Sequence, residues 1–187
     1  MNPLTSSTNE NSMEKAFRTA VLIFIANLIS AGGWLYISLQ FGAWQLYVLT
    51  GLLGLFSIAA AVAIMFIRRG RTDTGGWIII TGVLILLFVG AFLNSGVAFT
   101  AGISAIILSN LIANQILTEK PRKYALIISI AAGVLTALLD QSKSEYRLFT
   151  PGTQNILPII SGIATLLLIF FMTRQSRDFV NRSLRLK

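Results

Sequence analysis

This sequence contains no cysteine and no histidine, and only seven of its 187 residues are acidic. Without cysteine there is no disulfide, no thiol nucleophile and no thiolate metal site. Without histidine the commonest general base and zinc–imidazole sites are excluded as well. The chain also has no phosphate-binding loop, nucleophile elbow or metal-ligand cluster. We therefore expect no catalytic residue, no metal site and no cofactor, and we do not expect an enzyme.

Hydrophobic residues are what the chain has in abundance. They make up 55% of it, against 12% charged residues, which is more apolar surface than a soluble domain of this length can bury. The longest runs are long enough to cross a hydrocarbon core of about 30 Å. The sequence predicts an all-α integral membrane bundle of six transmembrane helices, paired as three antiparallel hairpins. The predicted spans cover residues 16–38, 45–67, 76–93, 97–117, 124–139 and 156–172.

Positive charge is distributed unequally between the two sets of connecting segments. Of the 15 basic residues, 13 lie before or in the first turn of span one, follow span six or lie in the loops 68–75 and 118–123. Only Lys143 and Arg147 lie on the other side. Because short cytoplasmic loops are enriched in Lys and Arg, this pattern predicts a plasma (inner) membrane protein with both termini in the cytoplasm. The same charges are expected to contact membrane lipids, and they do not indicate nucleic-acid binding.

Segments outside the spans are short and polar. Residues 1–15 are rich in Ser and Asn and are predicted to be a disordered cytoplasmic tail. Pro121 is expected to interrupt the helix between spans four and five, and Asn94-Ser95-Gly96 is expected to break the long apolar run between spans three and four. Residues 140–155 form the longest outer loop. Residues 173–187 are predicted to be a basic helical extension in the cytoplasm.

A few polar side chains fall within or beside the apolar spans. A polar or ionisable residue inside a bilayer is costly, so it is either functional or bonded to another helix. Asn110 and Asn114 share a helix face because they are four residues apart, with Ser109 and Gln115 beside them. For Asp140, the acid at the end of span five, the alternative to a functional role is a position at the membrane interface, where water solvates it. The weak ligand-binding candidates are Asn27, Asn94, Asn110, Asn114 and Asp140.

The segment after span six combines apolar spacing with positive charge. Met172, Phe179 and Leu186 recur at intervals of seven residues, which is the spacing of a coiled-coil seam. Five basic residues, from Arg174 to Lys187, follow the span. An amphipathic stub whose arginines anchor at lipid headgroups is an equal alternative. If these residues form a seam, we expect the helix to pair with a second copy of the chain or with a cytoplasmic signalling partner.

The chain combines several spans and minimal outer loops with a basic helix that ends in Ser183-Leu184-Arg185-Leu186-Lys187. In this it resembles the N-terminal membrane-sensor modules of bacterial signalling proteins. Histidine kinases, nucleotide cyclases and diguanylate cyclases carry such modules. The resemblance implies that the chain senses a stimulus in the bilayer or at the outer loop. It would then transmit a shift of span six to a cytoplasmic output.

Two other functions remain open. The substrate-binding subunits of energy-coupling-factor vitamin transporters are similar in size and span number, and they dock a partner through an Ala-xxx-Ala pattern that Ala16 and Ala20 reproduce. Those subunits usually have a long first outer loop over the substrate, however, and residues 39–44 are too few for that. The other alternative is an accessory structural subunit of a larger membrane complex.

Overall fold

The structure is a computed structural model that describes residues 3–94 and 97–141, together with the single positions Ile163, Leu166, Leu167, Phe170 and Arg174. Side chains are described from Ser12 to Asn94, from Val97 to Leu139 and at those five positions. Within this part of the chain there are five α-helices, one short 3-10 helix and no β-strand. The all-α prediction is therefore confirmed for the described residues.

Helix α1 runs from Pro3 to Phe41, well beyond the predicted span 16–38. The prediction of a disordered tail over residues 1–15 needs correction, because the helix already includes residues 3–15. Proline is tolerated in a first turn, where its missing N–H needs no partner, and no glycine or proline follows until Gly32. At ~1.5 Å per residue this helix is about 58 Å long, nearly twice the hydrocarbon thickness.

Helix α2 runs from Trp44 to Arg68, within one residue of the predicted span. Only Gly42 and Ala43 separate it from α1. Gly42 has a φ of 65°, a left-handed conformation that glycine adopts without a steric penalty, and its N–H donates to Ser38 O at 2.9 Å. The first two helices therefore form the tight antiparallel hairpin that the sequence predicts.

Helix α3 runs from Thr72 to Leu93 and helix α4 from Ala98 to Ile116. The predicted break at Asn94-Ser95-Gly96 is confirmed, since α3 ends at the residue before Asn94 and α4 begins two residues after Gly96. Helix α3 begins four residues before the predicted span, at the turn Arg69–Arg71. This turn includes Gly70 with a φ of 78°.

Helix α5 runs from Glu119 to Ala137 and is followed by a 3-10 helix over Leu138–Gln141. The expectation that Pro121 interrupts the helix is wrong. Thr118 is the N-cap, so Pro121 stands in the first turn of α5, where an N–H has no intrahelical acceptor to lose. The helix thereby gains a charged first turn that precedes the predicted span 124–139.

Four helical segments are long and apolar enough to cross a membrane: Ser12–Phe41, Trp44–Arg68, Thr72–Leu93 and Ala98–Ile116. Their lengths and composition fit a multi-pass membrane protein. Helix α5 is less apolar because Glu119–Lys123 carries four charges. Predicted span six (156–172) lies outside the described residues except at Ile163, Leu166, Leu167 and Phe170, whose backbone is helical.

The helices pack antiparallel in chain order, and α1 also contacts α3 and α4. One core cluster joins α1 to α5, and it includes Ala16, Ile67, Ile79, Ile112 and Ala125. Ala16 and Ala20 are only 1% and 0% exposed, so this pair packs inside the bundle. Gly133 and Ala137 of α5 lie against Gly102 of α4. A Cβ at Gly102 would lie 2.5 Å from Gly133 O, so the α4–α5 contact depends on glycine.

Candidate functional site

Three pairs of polar side chains join α1 to its neighbours at three heights. The middle pair is formed by Asn27 and Ser57. Asn27 is 6% exposed, and its Nδ2 donates to Ser57 Oγ at 2.6 Å and to Leu53 O at 2.8 Å. Ser57 Oγ in turn donates to Leu53 O at 2.9 Å. The candidate Asn27 is therefore a structural clamp between α1 and α2, since its amide hydrogens are both used within the bundle.

The pair nearest the α1–α2 turn is formed by Ser38 and Thr50, whose hydroxyl oxygens lie 3.0 Å apart. Each hydroxyl oxygen also lies within hydrogen-bonding distance of the carbonyl four residues earlier, Trp34 O for Ser38 and Leu46 O for Thr50. Because each hydroxyl has one hydrogen, one of the two donates across the interface while the other donates to its own helix. Such bonds let a hydroxyl lie in an apolar helix without an unsatisfied donor. The sequence analysis did not select this pair. In the sequence, this pair is indicated by one hydroxyl residue on each helix close to the connecting turn.

The third pair joins the opposite end of α1 to α4. The Thr19 hydroxyl donates to Gln115 Oε1 at 2.5 Å, and it also lies 3.0 Å from Lys15 O. Thr19 is fully buried and Gln115 is 6% exposed. Because the two residues are 96 positions apart in the chain, this contact fixes the height of α1 against α4.

Most of the described charges gather at this end of the bundle. The Arg68 guanidinium lies 5.5 Å above the Phe17 ring, and Asp73 contacts Thr118 across two turns. We call this the basic end, defined by Lys15, Arg18, the turn 68–71 and residues 117–123, which include the first turn of α5. Three of the segments that the sequence assigns to one side of the membrane, those before span one, between spans two and three and between spans four and five, therefore lie together in space.

Asp73 connects the N-terminus of α3 to the N-terminus of α5. Its Oδ1 accepts from Thr118 N and its Oδ2 from Thr118 Oγ1, both at 2.8 Å. Thr118 is the N-cap of α5, so Asp73 holds the start of that helix. Asp73 also lies in the first turn of α3, where a negative charge interacts favourably with the helix dipole. The sequence analysis missed this contact, since nothing local indicates which loop Asp73 faces.

Arg122 lies beside that contact. Its Nη2 donates to Leu117 O at 3.0 Å, which satisfies a carbonyl at the C-terminal end of α4. Its Nε is buried and has no hydrogen-bond partner. Lys15 of α1 is half-buried at the same end of the bundle. The acids described here are held elsewhere, Glu14 by Arg18 and Glu119 by Lys123.

The remaining asparagine candidates lie in different environments. Asn94 is 3% exposed at the C-cap of α3, where its Nδ2 donates to Gly90 O at 2.7 Å and its Oδ1 has no partner. Asn114 is exposed and donates to Asn110 Oδ1 at 3.2 Å on the outer face of α4. Ser109 is buried, and its hydroxyl has no partner. The structure therefore does not bring Asn27, Asn94 and Asn110 into one pocket.

The other sequence candidates lie outside the described part of the chain. The backbone of Asp140 belongs to the 3-10 helix, but its side chain is not described. The predicted seam residues Met172, Phe179 and Leu186 are likewise outside it. Within the described side chains, no three of His, Cys, Asp or Glu come together as metal ligands. The polar features of the described side chains are hydrogen bonds between helices and a concentration of positive charge at the basic end.

Comparison of the chain with protein-family models, with curated proteins and with solved structures found no match.

Proposed function

We propose that the chain is a six-span module with both termini in the cytoplasm. The distribution of basic residues carries this proposal: 13 of 15 belong to segments on one side of the predicted spans. The packing of Phe17 against Arg68 and of Asp73 against Thr118 supports it, because it gathers the first three of these segments at one end of the bundle. Predicted spans five and six are added to the four segments that are long and apolar enough to cross a membrane, which gives six spans.

The orientation is tested by reporter fusions. Fusions at Gly70 and Pro121 are expected to report a cytoplasmic location, and a fusion at Ser144 an external one. A fusion at Gly42 provides a matched control, since it lies in an uncharged turn on the same side as Ser144. The opposite pattern would overturn the orientation while leaving the helix assignments intact.

The function that we propose for this module is signal transmission. A stimulus in the bilayer or at the outer loop 140–155 would shift span six, and the basic extension 173–187 would carry the shift to a cytoplasmic partner. The excess of five basic residues after span six supports this proposal. The helical backbone at both Phe170 and Arg174 also supports it, because these residues lie on either side of the predicted end of the span. Transmission of this kind needs two alternative positions of the helix.

Dimerisation along the extension is the test of that relay. The chain has no cysteine, so single variants Phe179→Cys and Leu186→Cys can be crosslinked in membranes without a background. We expect disulfide-linked dimers from both. Asn181→Cys, two residues from Phe179, should crosslink much less. Equal yields at all three positions, or monomers throughout, would contradict a seam at Met172, Phe179 and Leu186.

Burial of Ala16 and Ala20 argues against the uptake-subunit alternative. A docking motif has to present its small residues to the partner, but both alanines belong to the core cluster of the bundle. A docking partner would have to displace helices that already pack there. The accessory-subunit alternative predicts a fixed partner that co-purifies through detergent extraction, and no contact among the described residues favours it.

A further inference from the structure

One side of α4 combines exposed apolar side chains with a pair of asparagines. Ile103 and Ile107 are 42% and 41% exposed. The next two positions along the same side are Asn110, which is partly exposed, and Asn114, which is exposed. Because these positions are separated by four, three and four residues, they form one continuous strip along the helix. We call these four residues the asparagine strip.

Neighbouring helices flank the asparagine strip without covering it. To one side of it, Gly102 lies against Gly133 of α5. To the other side, Gln115 accepts a hydrogen bond from Thr19 of α1. At ~3.6 residues per turn, the strip lies between these two contacts around the circumference of α4. The described residues therefore leave this side of α4 open along about three helical turns.

The two amides of the strip are largely unsatisfied within the described chain. Asn114 Nδ2 donates to Asn110 Oδ1 at 3.2 Å, and among the described residues this is the one hydrogen bond that either amide makes. Helix α4 is long and apolar enough to cross a membrane, and Asn110 lies about 9 Å before its last residue, Ile116. Water is scarce at that depth, so an amide that faces lipid there is unfavourable.

An identical strip supplies the missing donors and acceptors. A carboxamide both donates and accepts hydrogen bonds, so it is complementary to itself. Two copies inserted with the same topology present α4 in the same direction, and a two-fold axis along the membrane normal brings Asn110 opposite Asn110. Spacings of three and four residues suit two parallel helices, in which a buried asparagine determines the register and the number of chains. Hydrogen bonds between asparagines also hold helices together within membranes.

We propose that the asparagine strip of α4 is an interface between two copies of this chain. Ile103 and Ile107 would pack against their counterparts, and the amides of Asn110 and Asn114 would exchange hydrogen bonds across the two-fold axis. This interface is separate from the seam predicted after span six. It depends on the membrane placement of α4 and holds whether or not the module transmits a signal.

Cysteine crosslinking of the full chain in membranes tests this interface, since the chain has no cysteine of its own. Ile107→Cys should give disulfide-linked dimers under mild oxidation. Ile58→Cys of α2 is the matched control, because its side chain is 64% exposed and lies at a similar distance from the basic end. The control should remain mostly monomeric. Equal yields at the two positions, or monomers at both, would overturn the interface.

A second substitution separates hydrogen bonding from apolar packing. In the Ile107→Cys background, Asn110→Leu should lower the yield of dimer about tenfold, because leucine removes the bonds between the amides. Asn110→Gln keeps the carboxamide and should keep most of the dimer. If the leucine variant dimerises as well as its parent, the amides do not hold the copies together and the proposal is wrong.

Span six of the same chain is the other helix that could cover the strip. The double variant Ile107→Cys/Ser161→Cys distinguishes the two occupants. A disulfide within one chain, without dimers, would show that span six lies on the strip and would overturn the proposal. Dimers linked through Ile107→Cys are the expected result.

Circular dichroism and the elution volume of each variant show whether it has folded. If Asn110→Leu fails to fold, Asn114→Leu makes the same comparison. In a large excess of detergent micelles the copies are separated, so substitutions in the strip should leave the unfolding of the single chain nearly unchanged. A marked loss of stability there would place the bonds within one chain and contradict the interface. Crosslinking after span six decides the signalling proposal separately.

Discussion

Asn27 of α1 donates one amide hydrogen to Ser57 Oγ and the other to Leu53 O, so one side chain bonds α1 to two consecutive turns of α2. The contact lies near the middle of the hairpin, far from either connecting turn. In an apolar bundle, bonds of this kind determine the register of two helices that dispersion forces alone would hold less specifically.

Replacing Asn27 by alanine should destabilise the bundle by about 1–2 kcal/mol, because two interhelical hydrogen bonds are lost within an apolar interface. The cost is limited because Ser57 Oγ keeps its own acceptor at Leu53 O. Reversible unfolding in mixed detergent micelles measures the difference. Asn114→Ala is the matched control, since Asn114 is exposed and bonds only within α4. Equal effects of the two substitutions would contradict the clamp.

Thr19→Val should destabilise the packing of α1 on α4 by about 1–3 kcal/mol, because it leaves the buried Gln115 amide without its Thr19 partner. Thr19→Ser keeps the hydroxyl and removes only a methyl group, so most of the stability should remain. The comparison uses the same unfolding assay. A serine variant as unstable as the valine variant would show that Thr19 acts through packing rather than through its hydroxyl.

Asp73→Asn should loosen the start of α5, because the neutral amide can accept only one of the two bonds now made to Thr118. We expect a loss of about 1 kcal/mol, in the range for a helix cap, and faster amide exchange over Glu119–Arg122. Glu119→Gln is the control, since that exposed acid pairs only with Lys123. Unchanged exchange in the Asp73 variant would contradict the proposed anchoring.

Gly102→Ala should force α4 and α5 apart, because the added Cβ would lie 2.5 Å from Gly133 O and 2.9 Å from Ala137 Cβ. An overpacked contact of this type costs about 1–3 kcal/mol. Gly33→Ala is the matched control, since nothing lies within 4 Å of its added Cβ and α1 is exposed there. That variant should gain about 0.5–1 kcal/mol from helix propensity. Thermal unfolding of both variants measures the loss of stability expected for Gly102→Ala and the gain expected for Gly33→Ala.

Much of the fold follows from local features of the sequence. The break after Leu93 and the end of α2 at Arg68 were predicted within about one residue, since polar residues and charges mark both of them. The hairpin turn at Gly42 and Ala43 lies inside the predicted connection 39–44, but α1 ends three residues later than the predicted span. Three helices, α1, α3 and α5, begin several residues earlier than predicted. Pro3 and Pro121 both stand in first turns, and proline there is compatible with the helix that it would disrupt further inside.

The candidate site was less predictable, for a physical reason. Asn27, Asn94 and Asn114 look alike in sequence, but one bonds two helices, one closes a helix end and one is exposed. Asp73 and Thr118 are 45 residues apart and were not paired in advance. Which polar residues contact each other depends on the rotation and register of the packed helices. The spacing of residues within one helix gives no information about either.

By itself, the sequence determined that this is a helical membrane protein and where most of its helices end, because chain composition sets the solvent that each segment prefers. It also determined that most basic residues fall in alternate segments between the predicted spans. Only the tertiary structure decided which face of each helix is inside. In a water-soluble helix the apolar face marks the core, but these helices are apolar on nearly every side. The burial of Ala16 and Ala20, and the hydrogen bond between Thr19 and Gln115, follow from packing alone.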